Sequence, residues 1–421
     1  MIEIGTPYVT EENGTAYLKA PVRISRDTAL RYLEETGKLV NCGWLTAVDY
    51  PPAVWQDTES CLWFSVSAEY GKYLCPERSN AFVIAMLWYA MLTGSDIRFE
   101  APMSKRLYEG LTKELIPALT PERRPSIRLM GTLTDEPVSG GNGVVAGMTG
   151  GVDSLYTLHC YGSDDAPDGM RLTHLAYYDL TRYFPFLQPP YDVNAVLKEQ
   201  SQLFEPLIES CRRIAEGRKL PLVVMYSNLD NDYYRGGLVY TGMYRFLACT
   251  LAMERLYRVY IDSSSGETSE REAPSLLKPT QRYEKLICKA CRTESLRYVV
   301  SDDVPRTKKI EAIADDPDAQ RSLSVCFNIG ERDKNCGRCY GCMKTMIPLD
   351  LLGKLTFFDR AFDLEEYEKN KHEVFEELIR YSRRPEAEAA RTTVRQLLDL
   401  AKNRPSASGE LFLEAYNLFA V

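Results

Sequence analysis

Two stretches of this 421-residue chain hold residue types at spacings that can do chemistry. The first is Thr149-Gly150-Gly151-Val152-Asp153-Ser154. It follows the apolar run Val144-Val145-Ala146 and precedes a helix pattern carried by Leu155, Leu158 and Cys160. Paired glycines at a strand-to-helix corner let the main chain turn sharply with no β-carbons in the way of a ligand. The helix start beyond them offers unbonded amides and a dipole that attracts anions by about 0.3–1 kcal/mol. The hydroxyls of Thr149 and Ser154 add donors, and Asp153 beside an anion site implies Mg2+ between carboxylate and phosphates. No lysine stands where a Walker A loop requires one. The turn reads as a pyrophosphate cradle; the plainer alternative is a helix capped by Asp153 or Ser154.

The second stretch is "VCFNIGERDKNCGRCYGCMKTM", Val325 to Met346. Cys336, Cys339 and Cys342 are separated by two residues each, and Cys326 lies ten positions upstream of Cys336. Four thiolates with two tight spacings suit a tetrahedral Zn2+, and Gly337 and Gly341 let the backbone fold round the ion. A [4Fe–4S] cluster is the alternative, distinguished by the colour of the purified protein. Cys288 and Cys291 share one helix face in "YEKLICKACRTES" and read as packing. Cys42, Cys61, Cys75, Cys160, Cys211 and Cys249 read as small buried hydrophobes. With His159, His174 and His372 the only histidines, a Ser-His-Asp triad is disfavoured.

These groups need a scaffold that brings them to one edge. Apolar runs at Val144–Thr149, Leu172–Tyr178, Leu220–Tyr226, Val259–Asp262 and Leu296–Ser301 alternate with helical patterns, the clearest at Ala195–Gly217, where Leu197, Phe204, Leu207, Ile208, Cys211 and Ile214 recur. That rhythm predicts an α/β domain with a doubly wound, parallel, five-stranded sheet covered on both faces. Ligands of such sheets sit at the C-terminal edge, where the glycine turn falls. Residues 1–135 alternate extended and helical patterns and read as an N-terminal α+β domain. The polar break Thr134–Gly143, "TDEPVSGGNG", marks a boundary before the nucleotide-binding domain, 143–355, with its zinc lobe at 326–342. Residues 356–421 are charged and helical in pattern and read as a helical tail with a packing or interface role.

Composition bounds the functions. A net charge of −8 and a pI near 5.3 exclude a global basic field for bulk nucleic acid. The longest apolar run, Ala81–Leu92, is too short to span a bilayer and reads as a buried helix. The N-terminus has no basic region followed by an apolar stretch, so a cytoplasmic protein is expected.

Thr149–Ser154 resembles the Ser-Gly-Gly-x-Asp-Ser loop of the PP-loop ATP pyrophosphatases, with Thr149 in place of the first serine and its hydroxyl kept. With the downstream four-cysteine group, the chain is similar over about Val144–Leu355 to the 7-cyano-7-deazaguanine synthase (QueC) family within them. The resemblance implies a HUP, adenine nucleotide α-hydrolase-like sheet. It also implies ATP-dependent adenylation of a carboxylate, release of AMP and pyrophosphate, and formation of a carbon–nitrogen bond on a deazaguanine-related substrate. It places pyrophosphate on Thr149, Gly150, Gly151, Asp153 and Ser154, and adenine near Tyr177 and Tyr178. Lys308 or Lys309 in "VPRTKKIEAIA" matches the family's helix lysine, and Arg245 is the only basic group in "YTGMYRFLA", where the family has an Arg-Asn pair. Lys308, Lys309 and Arg245 are therefore the candidates to neutralise the α-phosphate. The family's Asp-rich substrate loop is replaced by "SSSGETSERE". Similar proteins with such extensions occur in bacterial anti-phage defence operons, which implies a protein partner reached through the N-terminal block or the tail. Two other readings stand beside this one: a tRNA sulfur-transferase of the same fold, and a non-catalytic ATP-sensing subunit of a complex.

Overall fold

A computed structural model of the chain describes residues 1–40, 60–121, 126–179, 193–234, 238–264, 274–278, 280–301, 304–326, 334–384 and 387–419. Five parallel strands form where the apolar runs foretold them, in the spatial order Arg297–Val300, Tyr257–Asp262, Gly143–Gly147, His174–Asp179 and Leu222–Ser227. The chain leaves Gly143–Gly147 in one direction for two strands and then returns to its other side for the last two. The strand order thus reverses beside Gly143–Gly147, which makes its C-terminal end the topological switch point where open α/β sheets leave a crevice.

The sheet does not stop at five. Leu222–Ser227 pairs antiparallel with Ser60–Ser67, Tyr226 lying opposite Ser65, and the sheet runs on through Thr15–Ile24, Ile2–Ile4, Ile97–Phe99 and Leu129–Met130. With Tyr8–Glu12 on Thr15–Ile24 it has eleven strands. The expectation of a five-stranded sheet is corrected to a parallel set of five within this larger one. An unpaired edge at Leu222–Ser227 would present a row of open hydrogen-bonding groups, and the N-terminal strands cover it.

Side chains alternate across Gly143–Gly147: Val145 faces one core, and Val144 and Ala146 face the other. On the first face lie the helices Asn80–Thr93, buried along its whole length, and Leu238–Ala252. The apolar run Ala81–Leu92 is therefore core, as its length implied. The second face carries Val152–Tyr161, Val193–Gly217, Arg306–Ile313 and Tyr340–Leu351. In Val193–Gly217 the residues Ile208, Cys211 and Ile214 turn to the core, while the side chains of Leu197 and Phe204 lie outside the described residues. The C-terminal segment folds as three helices, Leu364–Ser382, Glu388–Asn403 and Ala407–Phe419, packed on this face through Phe375, Leu397 and Phe412. Asp350 ties down the first and third of them, taking hydrogen bonds from Tyr367 at 3.1 Å and Ser408 at 3.0 Å and an ion pair from Lys371 at 3.2 Å. Among the described residues no helix is long and apolar enough to cross a membrane.

The polar break at Thr134–Gly143 is a tightly packed connector. Gly141 and Gly143 donate their amides to the carbonyls of Arg255 at 2.7 Å and Leu256 at 3.0 Å. A β-carbon on Gly141 would stand 2.5 Å from the Leu256 carbonyl oxygen, and one on Gly140 would strike Arg255. The glycines permit a close backbone approach, and both blocks share one sheet and one core across it. Gly141→Ala should therefore cost about 1–3 kcal/mol in a urea melt, since backbone must move to admit the methyl.

Candidate phosphate-binding turn and metal centre

The strand Gly143–Gly147 ends at Met148, whose amide still bonds the Ala176 carbonyl at 2.8 Å. The chain then turns through Gly150, at φ +71°, a conformation that favours glycine, and enters the helix Val152–Tyr161. Gly151 is the N-cap, and no side chain caps the helix. Neither Asp153 nor Ser154 does the work that the plainer alternative assigned to them. Ser154 instead donates to the Gly151 carbonyl at 3.0 Å and accepts from the Thr149 amide at 3.4 Å, drawing the turn together. Ser324 braces it from outside, its amide bonding the Gly150 carbonyl at 2.9 Å. The first amides of the helix have no carbonyl within the helix to bond and point into the turn.

Asp153 is gripped by two cations from the helix Arg306–Ile313. Arg306 Nη1 lies 3.1 Å from one carboxylate oxygen, and Lys309 Nζ lies 3.0 Å from the other. Lys309 is fully buried, donates also to the Ser264 carbonyl, and lies 5.7 Å from the centroid of the Tyr156 ring. Burial opposes ionisation of Asp153, but Arg306 and then Lys309 outweigh it and hold the carboxyl below the usual range. Both Asp153 oxygens thus accept from protein cations. Two cations meet one carboxylate beside a helix N-terminus.

Asp262, at the end of the neighbouring strand Tyr257–Asp262, faces the same group. Burial pushes its carboxyl up to about 6, against the pull of Lys309 and with the push of Asp153. Because the folded value exceeds the unfolded one, this group's contribution is fully present below the ordinary carboxyl range and is lost as pH rises through about 6. Asp262→Asn should therefore raise stability by about 2 kcal/mol at pH 7.5 and by less at pH 5, read from thermal melts at the two values.

The other site residues expected from the sequence divide. Lys308, whose side chain is 65% exposed, turns outward to Glu311 at 2.9 Å, so of the two adjacent lysines only Lys309 enters the site. Arg245 is buried on Leu238–Ala252, on the opposite face of the sheet, and is paired with Asp230 beyond the end of Leu222–Ser227. The structure does not bring it into the Asp153 group. Tyr177 and Tyr178 point to opposite faces of their strand. Tyr177 is buried on the face of the glycine turn, whereas Tyr178 packs on Phe246 and bonds Thr250 at 3.1 Å. Most of "SSSGETSERE", residues 265–272, lies outside the described residues, as does Cys42. Arg306 was missed. Its signal was present: residues three apart on a helix share a face, so Arg306 accompanies Lys309 while Lys308 does not.

The four cysteines meet. The sulfurs of Cys326, Cys336, Cys339 and Cys342 all lie within 4.8 Å of one another, with Cys339 3.4 Å from Cys342 and 3.9 Å from Cys326. A Zn–S bond of about 2.3 Å places tetrahedral sulfurs about 3.8 Å apart, so these spacings fit. Gly337, at φ +74°, makes the turn between the first two close ligands, and Cys339 begins the helix Tyr340–Leu351 that carries Cys342. Asn335 fastens the lobe, accepting from the amides of Val325 at 2.8 Å and Cys326 at 3.0 Å and donating to Leu323 and Ala361. The hydrogen bond with Cys339, and then burial, drive the Cys342 thiol far above its ordinary pKa. These four side chains can hold a metal ion such as zinc. Cys288 and Cys291 are buried in the other core, as packing requires.

Comparison of the chain with family models, with curated proteins and with solved structures gives no match.

Proposed function

We propose that the protein is an ATP-dependent enzyme of the PP-loop pyrophosphatase type, which adenylates a carboxylate and passes it to a nitrogen nucleophile. The observation that supports this reading best is the Asp153–Arg306–Lys309 group at an uncapped helix start, beside the switch point of five parallel strands. The finer fold reading, a HUP-like unit of five strands inside the larger sheet, belongs to the same proposal. In it, the β- and γ-phosphates of ATP rest on Thr149–Ser154, with adenine towards Tyr177. The amides of the turn stabilise charge on the departing pyrophosphate, each such donor contributing about 2.7–4 kcal/mol when preorganised. Lys309 and Arg306 transfer their hydrogen bonds from Asp153 to phosphate oxygens, which leaves Asp153 free for the cation that accompanies ATP. Bound Mg2+ would shield the phosphate charge. The substrate carboxylate attacks the α-phosphorus in line, pyrophosphate leaves, and an amine attacks the acyl-adenylate, expelling AMP and giving an amide. Resemblance makes the carboxylate deazaguanine-related and a protein partner the bearer of the amine. The four-cysteine lobe, with zinc as the proposed ion, holds the helix that backs Arg306.

Incubation with ATP, Mg2+ and candidate carboxylates tests the reading by chromatography. AMP with pyrophosphate is the expected pair of products. ADP overturns it, and ATP that stays bound and unchanged favours a sensing subunit.

A further inference from the structure

The metal-holding lobe and the phosphate turn are joined by one buried hydroxyl. Thr345, fully buried on Tyr340–Leu351, donates its proton to the Gly341 carbonyl at 2.9 Å. Gly341 stands between Cys339 and Cys342, inside the tightest pair of thiols. The hydroxyl's proton being spent there, its lone pairs face Arg306, whose Nη2 donates to it at 3.4 Å. Arg306 turns its other amino group, Nη1, to Asp153. Its Nε is buried with no hydrogen-bond partner among the described residues. The orientation of the guanidinium therefore rests on two bonds, one to the turn and one to the lobe. Lys309 differs: the Ser264 carbonyl and the Tyr156 ring hold it without help from the lobe.

We propose that Thr345 is a positioning residue that couples metal occupancy at the four cysteines to the order of the glycine turn, acting through Arg306. Metal binding fixes the first turn of Tyr340–Leu351, the Gly341 carbonyl fixes the Thr345 rotor, and the rotor aims Arg306 at Asp153. Loss of the metal frees Arg306 while Lys309 stays in place, so the anion site loosens without vanishing. The coupling itself follows from the geometry; that its output is phosphate binding rests on the proposed function.

Hydrogen exchange on the full-length, zinc-loaded chain tests this, read at the amides of Leu155 to Leu158. Thr345→Val, with its zinc content unchanged, should speed their exchange about fivefold, the effect of one ordinary hydrogen bond, and Thr345→Ser should match the wild type. Stripping zinc from the wild type with a chelator should do the same or more. Arg306→Gln supplies a second route should Thr345→Val fail to hold zinc: in that background, zinc removal should add little to the exchange rate. Unchanged exchange in zinc-loaded Thr345→Val overturns the relay. So does a full response to zinc removal in Arg306→Gln. Affinity for inorganic pyrophosphate, measured on the same samples, should fall about fivefold in Thr345→Val. If exchange responds as expected and the wild type binds no pyrophosphate, the relay stands and the phosphate reading falls.

Discussion

Asp153→Asn should destabilise the protein by about 3 kcal/mol and at the same time make it bind inorganic pyrophosphate more tightly. Lys309 is wholly buried, and its carboxylate is one of few groups that offset its charge. Removing one partner of a buried pair typically costs about 3–5 kcal/mol, and the low end applies because the Asp153 side chain is 27% exposed and the Ser264 carbonyl remains. An asparagine can accept from one cation only, and its amide meets the other donor to donor. The substitution removes one negative charge from the turn, and a polyphosphate can supply the anion that has been lost. Pyrophosphate without Mg2+ should therefore raise the melting temperature of the variant well beyond its effect on the wild type, because a ligand at free concentration L that binds only the folded state stabilises it by RT ln(1 + L/Kd), which grows as Kd falls. Equal shifts in the two proteins, or none in either, would show that the Arg306–Lys309 group is a structural ion-pair network and no anion site.

The second large effect belongs to Cys339. Its sulfur lies 3.4 Å from that of Cys342 and 3.9 Å from that of Cys326, and its residue starts the helix that carries both Cys342 and Thr345. Structural zinc contributes about 10–16 kcal/mol in small domains; in a chain with two large cores of its own, loss of the ion should cost at least a third of that, about 4–5 kcal/mol. Cys339→Ser should drop the metal content from one ion per chain to near zero by elemental analysis. The melting temperature should fall by about 5 °C for a chain of this size. Limited proteolysis should open cleavage sites between 334 and 384 first, since Asn335 and Arg338 link the lobe to its neighbours there, Arg338 through Glu366 at 2.7 Å. Full metal content in the variant would mean that three cysteines and another group suffice.

Much of the parallel half was legible in the sequence because its signals are local. Runs such as Leu222–Ser227 and Tyr257–Asp262 are short, apolar and β-branched, and the Cys336–Cys339–Cys342 spacing specifies a cluster whatever surrounds it. The antiparallel join of Tyr226 to Ser65 left no local mark, since it pairs residues far apart in the chain and either strand would look the same at a free edge. Arg245 misled because it is the only basic group in its stretch. Its apolar companions Tyr244 and Leu247 signalled a buried position, and Asp230, which neutralises it, lies outside the segment. The glycines of Thr134–Gly143 read as a polar break between two blocks, yet the same residue type also serves where two backbones must touch, and sequence does not tell those uses apart.

The shared sheet has a consequence for how this protein can be divided. A fragment starting at Gly143 would keep the glycine turn and all four cysteines, but Leu222–Ser227 would become a bare rim and Leu238–Ala252 would lose the helix Asn80–Thr93 that shields it. Such a fragment would carry both candidate sites but expose two apolar surfaces that the whole chain buries, so the front third is as much a part of the folded body as the glycine turn. Any shuffling of this architecture between proteins must move both pieces as a unit.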